Sequence, residues 1–267
     1  MNMRVERKKY LGRKIDISCI VLSNLNDLFV KKRTIPSIIE NGKLHNIEII
    51  VVDNSPTQNF EYEGVKVIHT EPYHIPKAYN TGVSNAKGKY IALFHDDCVL
   101  SDENWIDKLT NELNDDVYIV GPEKYKNGDI EFIKEVPLVM KRQIFLDIGG
   151  YDETYYFGYE DVDISDRILK KGKKIKEVKI SYDHYGGMSS ILISANDKTK
   201  NDLKKMFIDV TQPKKKFYLM HHESMKKFWK AFDIDTEEIL KLSWVDLYKK
   251  MPKTKKEIKD LVYKLKN

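Results

Sequence analysis

The sequence predicts an α/β fold, in which an open, mostly parallel sheet is flanked by helices and followed by a helical C-terminal extension. Short apolar runs that are typical of buried strands alternate with amphipathic segments between about residues 15 and 180. Beyond about residue 195 the strand-like runs end, and apolar residues recur at helical spacing. We therefore expect a sheet-containing domain at 1–198 and a basic, amphipathic helical extension at 199–267.

The first half of the domain consists of predicted strands separated by helices. In chain order these are a strand at 15–22, a helix at 27–40, strands at 47–52 and 65–69, a helix at 76–86 and a strand at 89–94. The strands are rich in Ile, Val and Leu, as expected for parallel strands buried on both faces. Pro36 is expected to kink or restart the first helix, and Pro76 suits the first turn of the second.

The second half continues this alternation with shorter segments. Ser101 is interpreted as the N-cap of a helix that contains Trp105, and glycines at 149–150 and 172 end two later helices. In chain order we expect the helix after Ser101, a strand at 117–120, a helix marked by Met140, Ile144, Phe145 and Ile148, a helix from Glu160, and a strand at 174–180.

Positive charge is concentrated in the C-terminal extension. Residues 201–267 contain 17 lysines and 10 acidic residues, a net charge of +7, so the total of +5 leaves −2 for residues 1–200. Interleaved acids and lysines are typical of a solvated helix surface. The stripe of Phe228, Trp229 and Phe232 beside lysines also suits a helix at a membrane surface. Peripheral membrane contact, contact with a second copy and docking on the sheet-containing domain all stay open.

Composition and cysteine usage narrow the class of protein. No window approaches the roughly 18 consecutive apolar residues of a membrane span, and residues 1–14 lack the apolar segment of a secretory signal. Cys19 and Cys98 fit neither a metal-binding spacing nor a disulfide framework. We expect a cytoplasmic protein, with peripheral contact at the inner face of the membrane as an option and no nucleic acid among its partners.

Two acidic clusters follow the predicted elements at informative points. His95-Asp96-Asp97-Cys98 comes directly after the strand at 89–94, and Glu160-Asp161 begins a helix some sixty residues later. Because ligands of parallel sheets bind beyond the carboxyl ends of the strands, we expect both clusters to face one crevice. Their carboxylates suit a divalent metal ion and a general base.

Taken together, the motifs resemble the family 2 glycosyltransferases of the GT-A fold over roughly residues 14–190. Six pieces occur in the family's order: Ser23-Asn24, Ile49 to Ser55, Ala78 to Gly82 with Ala86 to Ile91, His95 to Cys98, Ile148 to Glu153, and Tyr159 to Asp163 with Arg167. The resemblance implies an inverting enzyme that moves a sugar from a nucleotide-diphosphate donor, by family habit a UDP-sugar. The acceptor would be a hydroxyl of a glycan or lipid-linked saccharide, most often in polysaccharide biosynthesis.

The resemblance also implies a nucleotide site near Ser23, Asn24 and Asp53. In the family an acid at the position of Asp53 accepts a hydrogen bond from the base, and a carboxylate suits the N–H of a pyrimidine ring. The alternative is an Asx-turn, in which Asp53 bonds its own backbone before Pro56.

Further along the chain, Asn80 corresponds to a position near the ribose or the phosphates. Many members carry Arg where this chain has Tyr79, so one phosphate contact is missing, and Lys77 is the candidate to replace it. Asp96 is expected to face the sugar or the ribose.

Asp97 is the best match for the essential carboxylate of the family's metal-binding DxD motif, whose usual third acid is replaced by Cys98. The resemblance implies Mn²⁺ or Mg²⁺, with phosphate oxygens and water filling the remaining coordination positions. His184 falls where some members supply a histidine to the metal. Alternatives remain: the acids can form a helix cap before Ser101, and His184 can be structural. Cys98 is interpreted as a packing residue.

Glu160-Asp161 corresponds to the family's catalytic base. Asp161 is expected to remove the proton of the acceptor hydroxyl, and Glu160 to position Asp161 or contact the acceptor. The alternative is that these acids complement the N-terminus of a helix, an effect that would also lower the pKa of a carboxylate. Nearby aromatic side chains can stack on an acceptor saccharide or pack in the core; they are Tyr151, Tyr155, Tyr156, Phe157 and Tyr159.

Two other functions share part of this pattern. A sugar-phosphate nucleotidyltransferase would have a related fold and a metal, but it needs a glycine-rich, basic loop after the first strand, and residues 23–27 contain no glycine. A non-catalytic module that binds a polyanion or a membrane through the basic extension would leave the two acidic clusters without a role. Glycosyl transfer accounts for both clusters.

Overall fold

The structure is a computed structural model that describes residues 14–185, except Leu25, Asn26, Thr57, Tyr73, Gly128, Tyr156 and Phe157. The predicted extension at 199–267 lies outside the described residues, as do residues 1–13. Within the described part, no helix has the length and apolar character needed to cross a bilayer.

Eleven strands occur in the described part of the chain. They are β1 (Ile17–Ser23), β2 (Ile47–Asp53), β3 (Lys66–His69), β4 (Tyr90–Phe94), β5 (Cys98–Leu100), β6 (Val117–Gly121), β7 (Lys124–Asn127), β8 (Ile130–Ile133), β9 (Leu138–Lys141), β10 (Lys174–Glu177) and β11 (Tyr182–His184). Seven form the central sheet in the order β10-β6-β9-β4-β1-β2-β3. β4, β1, β2 and β3 run parallel, as do β6 and β10. The prediction of a mostly parallel sheet with helices is confirmed.

The helices largely match the predicted ones. They are α1 (Asp27–Phe29), a π-helical stretch (Val30–Thr34), α2 (Ile35–Asn41), α3 (Ile75–Ser84), α4 (Trp105–Thr110), α5 (Arg142–Asp147) and α6 (Glu160–Lys170). The single helix predicted at 27–40 is three consecutive helical pieces, and Pro36 lies in the first turn of the last one. This position suits a residue that has no backbone N–H to donate.

The expected N-cap at Ser101 is wrong. α4 begins four residues later at Trp105, and Asn104 occupies its N-cap position. Asp102 instead accepts a hydrogen bond from the Asn104 backbone N–H (3.0 Å), and its carboxylate forms an ion pair with Lys108 (2.7 Å). An aspartate side chain can accept a hydrogen bond from the backbone N–H two residues later, and such a turn competes with the helix for that N–H.

The main feature missing from the prediction is β9, which lies in the middle of the sheet. It pairs antiparallel with β4 on one side and β6 on the other. Met140, which we assigned to a helix, belongs to this strand, and α5 follows it directly. The loop before β9 therefore reaches the carboxyl end of β4, where the His95 N–H donates to the Glu135 carbonyl (2.7 Å).

Two small antiparallel pairs complete the site region. β7 and β8 form a hairpin, and β11 pairs with β5 so that His184 lies opposite Cys98. The hydrophobic core consists of two clusters. Alternate residues of β1 contribute to each, because successive side chains of a strand point to opposite faces: Cys19 and Val21 to one, Ile20 and Leu22 to the other.

Candidate active site

The segment at the carboxyl end of β4 is fastened on three sides. The Tyr79 hydroxyl donates to the Phe94 carbonyl (3.1 Å), and the Thr34 hydroxyl donates to the Asp96 carbonyl (2.9 Å). The Tyr185 N–H, just after β11, donates to the Asp97 carbonyl (3.1 Å). These bonds come from three different parts of the chain and fix the backbone that carries the acidic cluster.

Three side chains around this segment form a group that fits a metal ion. One ligand atom each from His95, Asp97 and His184 lies within 4.8 Å of the other two. His184 Nε2 is 3.2 Å from Asp97 Oδ1, and the two imidazole rings are 5.6 Å apart. Two imidazoles and one carboxylate suit Mn²⁺ better than Mg²⁺, which prefers oxygen ligands. The structure thus brings together the two predicted metal residues and adds His95, to which the sequence argument gave no role.

Cys98 lies beside this group but packs in the core. Its thiol is buried and donates to the Val136 carbonyl (3.3 Å). Burial, together with the charges of Asp97 and Asp183, raises the pKa of the thiol well above its usual range. A protonated thiol is not a metal ligand, so Cys98 takes the packing role expected for it.

Asp161 lies in a cavity of about 490 Å³ that also reaches the metal group. Its lining includes His95, Lys134, Glu135, Glu160 and Asp161. His95 therefore belongs both to the metal group and to the wall of the cavity that contains Asp161. His95, from the first cluster, and Glu160 and Asp161, from the second, therefore line one cavity, while Asp96 and Asp97 are not among its lining residues.

The protonation of Asp161 is controlled by its surroundings. Burial, reinforced by the negative charge of Glu135, raises the pKa of Asp161 to about 7. The Val162 N–H, which donates to Asp161 Oδ1 (2.8 Å), and the charges of Lys134 and His95 act in the opposite direction. The lowered pKa expected from the helix N-terminus is therefore wrong, because removal from water outweighs these donors and charges.

Glu135 connects His95 to the core. Its side chain is 1% exposed; the Tyr151 hydroxyl donates to Oε1, and His95 Nε2 lies 3.4 Å from Oε2. Loss of hydration would lower the pKa of His95, but the hydrogen bond and charge of Glu135, with the charges of Asp97 and Asp96, raise it to about 9. The sequence argument missed Glu135, which belongs to none of the six motif pieces.

Comparison of the sequence with known families finds one match. The pattern described as "Glycosyl transferase family 2" matches residues 20–165. The chain belongs to this family. Among curated proteins, none is similar enough in sequence to match.

Solved glycosyltransferase structures resemble the fold at low sequence identity. The structure of GalNAc-T7 with UDP, GalNAc and Mn²⁺ has a TM-score of 0.54 and 14% identity, covering 85% of this chain and 54% of that one. The catalytic domain of Drosophila β1,4-galactosyltransferase 7 with xylobiose has a TM-score of 0.48 and 16% identity, covering 64% of this chain and 71% of that one. The mannosyltransferase PcManGT from Pyrobaculum calidifontis, with GDP-Man and Mn²⁺, has a TM-score of 0.48 and 15% identity, covering 64% of this chain and 60% of that one. The first of these supports the GT-A type fold.

In this glycosyltransferase domain, the Asp53 carboxylate is occupied by its own loop. Ser55 donates to Oδ1 through its N–H (3.0 Å) and its hydroxyl (2.6 Å). The Phe60 N–H donates to Oδ2 (3.1 Å), and His69 Nδ1 lies 3.3 Å from the same atom. These contacts are those of the Asx-turn alternative, while binding of the nucleotide base by Asp53 stays a prediction.

The other residues predicted to bind the donor lie around the carboxyl ends of β1, β2 and β4, outside the cavity lining. The Ser23 hydroxyl donates to Asp27 Oδ1 (2.8 Å). Asn24 Oδ1 is buried, with no hydrogen-bond partner in the described part of the chain. The same holds for both polar side-chain atoms of Asn54, a residue to which the sequence argument gave no role. Buried polar groups are usually bonded, so these orphaned atoms fit a bound polar ligand.

On α3, the predicted donor residues have protein partners. Lys77 pairs with Glu71 (3.0 Å) on the surface. The Asn80 amide donates to the Tyr151 carbonyl (2.9 Å) and to Glu153 (3.0 Å), and its oxygen accepts from the Tyr151 N–H (2.9 Å). Asn80 thereby ties α3 to the segment before α6, and contact of these two residues with the donor stays a prediction.

The aromatic cluster before α6 divides between the core and the site. Tyr151 and Tyr155 are buried, and the Tyr151 ring packs 5.6 Å from Tyr79 and 5.4 Å from Phe145. Of the two alternatives for these residues, sugar stacking and packing in the interior, their burial favours packing. Tyr159 lines the cavity, and residues 156 and 157 lie outside the described residues.

Proposed function

We propose that this protein is an inverting, Mn²⁺-dependent glycosyltransferase that moves a sugar from a nucleotide diphosphate to a hydroxyl of a glycan or lipid-linked saccharide. The observation that carries the proposal is that Asp161 and His95 line one cavity, because His95 also belongs to the metal group with Asp97 and His184. Among nucleotides we favour UDP for the donor, since the structure of GalNAc-T7, which shares the fold, contains UDP and Mn²⁺.

The metal group would serve the donor. His95, Asp97 and His184 would hold the cation, which when bound neutralises the charge that builds on the departing diphosphate. The nucleoside part would lie along the neighbouring strand ends. There the buried polar atoms of Asn24 and Asn54 have no hydrogen-bond partner among the described residues.

Asp161 would serve the acceptor. A base must remove the hydroxyl proton as the new bond forms, and a pKa of about 7 suits this task at neutral pH. Glu160 is buried next to it and lines the same cavity, so it is suited to orient the acceptor. Direct attack on the anomeric carbon, opposite the diphosphate, inverts its configuration. A cytoplasmic location remains a proposal.

The test is a screen of UDP- and GDP-sugars for binding and for transfer of the sugar to water, measured as hydrolysis. It is run with Mn²⁺, Mg²⁺ or chelator on the native chain, Asp97→Ala, Asp161→Ala and Asp166→Ala. Asp97→Ala should weaken donor binding in Mn²⁺, and Asp161→Ala should retain donor binding but abolish transfer. Asp166, which pairs with Lys170 on the same helix (2.6 Å), is the control and should retain both. Undiminished transfer by both site variants would refute the assignment.

A further inference from the structure

Glu135 is a buried carboxylate whose only part in the proposed transfer so far is its charge, which helps to raise the pKa of Asp161. It lies on the loop between β8 and β9, with a side chain that is 1% exposed. A buried ionised group is unfavourable unless it is paired and hydrogen-bonded. Its contacts therefore indicate what it does.

Glu135 is held from both sides. The Tyr151 hydroxyl donates to Oε1, and Tyr151 is itself fixed through its backbone by Asn80. The other carboxylate oxygen, Oε2, faces His95 Nε2 at 3.4 Å, while the Glu135 carbonyl accepts from the His95 N–H (2.7 Å). A chain of contacts thus runs from α3 through Tyr151 and Glu135 to the imidazole of His95.

This arrangement selects one nitrogen of the imidazole. A ring nitrogen that faces a carboxylate carries a proton, and a metal takes the other nitrogen, which gives up its own proton when the metal binds. With Nε2 of His95 turned to Glu135, Nδ1 is the nitrogen that remains for a cation shared with Asp97 and His184.

We propose that Glu135 is a positioning residue for the metal centre: it orients the imidazole of His95 so that Nδ1 is presented to the cation. The inference rests on the proposed function, because it assumes that His95, Asp97 and His184 bind the metal. It gives a purpose to a buried acid outside every family motif that we recognised in the sequence.

The test is a double-mutant cycle on Mn²⁺ affinity, measured from the electron paramagnetic resonance signal of free Mn²⁺ with the full chain and no nucleotide. Glu135→Gln has the same size and should weaken Mn²⁺ binding by about 10- to 100-fold, as for other residues that orient a metal-bound histidine. In the His95→Gln background, the same change should weaken binding by no more than about threefold, because its effect passes through His95.

Equal losses in the two backgrounds would overturn the inference, since they would show a general effect of charge or folding. Unchanged affinity in Glu135→Gln would overturn it as well, while leaving the proposed function intact. If the native chain binds no Mn²⁺, both the proposed metal site and this inference fail. Should Glu135→Gln not fold, Tyr151→Phe, which removes the hydroxyl that holds Glu135, replaces it in the same cycle with the same expected pattern.

Discussion

Replacing Asp161 by Asn should stabilise the protein, and increasingly so as the pH rises. The pKa of this carboxyl is raised from 3.8 to about 7, chiefly by burial. At pH values below 3.8 the group is protonated in both the folded and the unfolded chain. As the pH rises toward 7 the unfolded chain releases the proton freely, whereas the folded protein must either keep it or hold a buried charge.

The size of the effect follows from the two pKa values. Between them the native protein loses up to about 1.4 kcal/mol of unfolding free energy for each pH unit. The total loss, complete above pH 7, is on the order of 4 kcal/mol. Asn cannot ionise, so Asp161→Asn should exceed the native protein by about 2 kcal/mol at pH 5 and about 4 kcal/mol at pH 8.

Urea unfolding followed by far-ultraviolet circular dichroism at pH 5, 6, 7 and 8 measures this difference. Asp166→Asn is the matched control, because Asp166 lies on the same helix and its carboxylate pairs with Lys170 (2.6 Å). It should lack the increase with pH. A difference between Asp161→Asn and the native protein that stays constant from pH 5 to pH 8 would refute the reasoning, since burial would then not control this carboxyl.

Two further substitutions test how the site is supported. Arg167→Lys keeps the charge but not the forked bonds to Asp163 (2.7 Å) and to the carbonyls of Ile148 (2.9 Å) and Gly150 (2.7 Å). It should lower the free energy of unfolding by about 2 to 3 kcal/mol, and a loss under about 0.5 kcal/mol in urea unfolding would contradict the role of these bonds. Asn80→Ala removes three hydrogen bonds and should lower the free energy of unfolding by about 2 kcal/mol in the same assay. It should also weaken Mn²⁺ binding, because Asn80 no longer holds the backbone of Tyr151.

The central strands could be predicted because their burial dictates their composition. β1, β2 and β4 are covered on both faces over most of their length, so they appear in the sequence as mainly apolar runs, interrupted within the strands only by Ser18 and Glu48. β9 is covered in the same way but has only four residues and passes directly into α5. Its apolar residues merge with those of the helix into a pattern of helical spacing, which is why Met140 was assigned to the wrong element.

The site could be predicted only where a motif marked it. The closeness of Asp97 and His184 depends on the pairing of β5 with β11, two strands of three residues each. No local propensity indicates such a pairing, and the family position of His184 supplied the expectation. Glu135 had a weaker signal, an acid inside the otherwise apolar stretch from Ile133 to Leu138 that only Lys134 interrupts further.

The direction of the Asp161 pKa shift shows why position in an element is not enough to predict chemistry. A carboxylate in the first turn of a helix gains about 0.3 to 1 kcal/mol from the helix dipole, which lowers its pKa by less than one unit. Removing the same charge from water acts in the opposite direction and can raise the pKa by several units. The sequence reveals the first effect, because the helix start is visible, but not the second, which depends on how distant segments such as the loop of Glu135 line the cavity around Asp161. Burial is therefore the larger influence here, and it turns an acid that is ordinarily ionised into a base that can accept and return a proton near neutral pH.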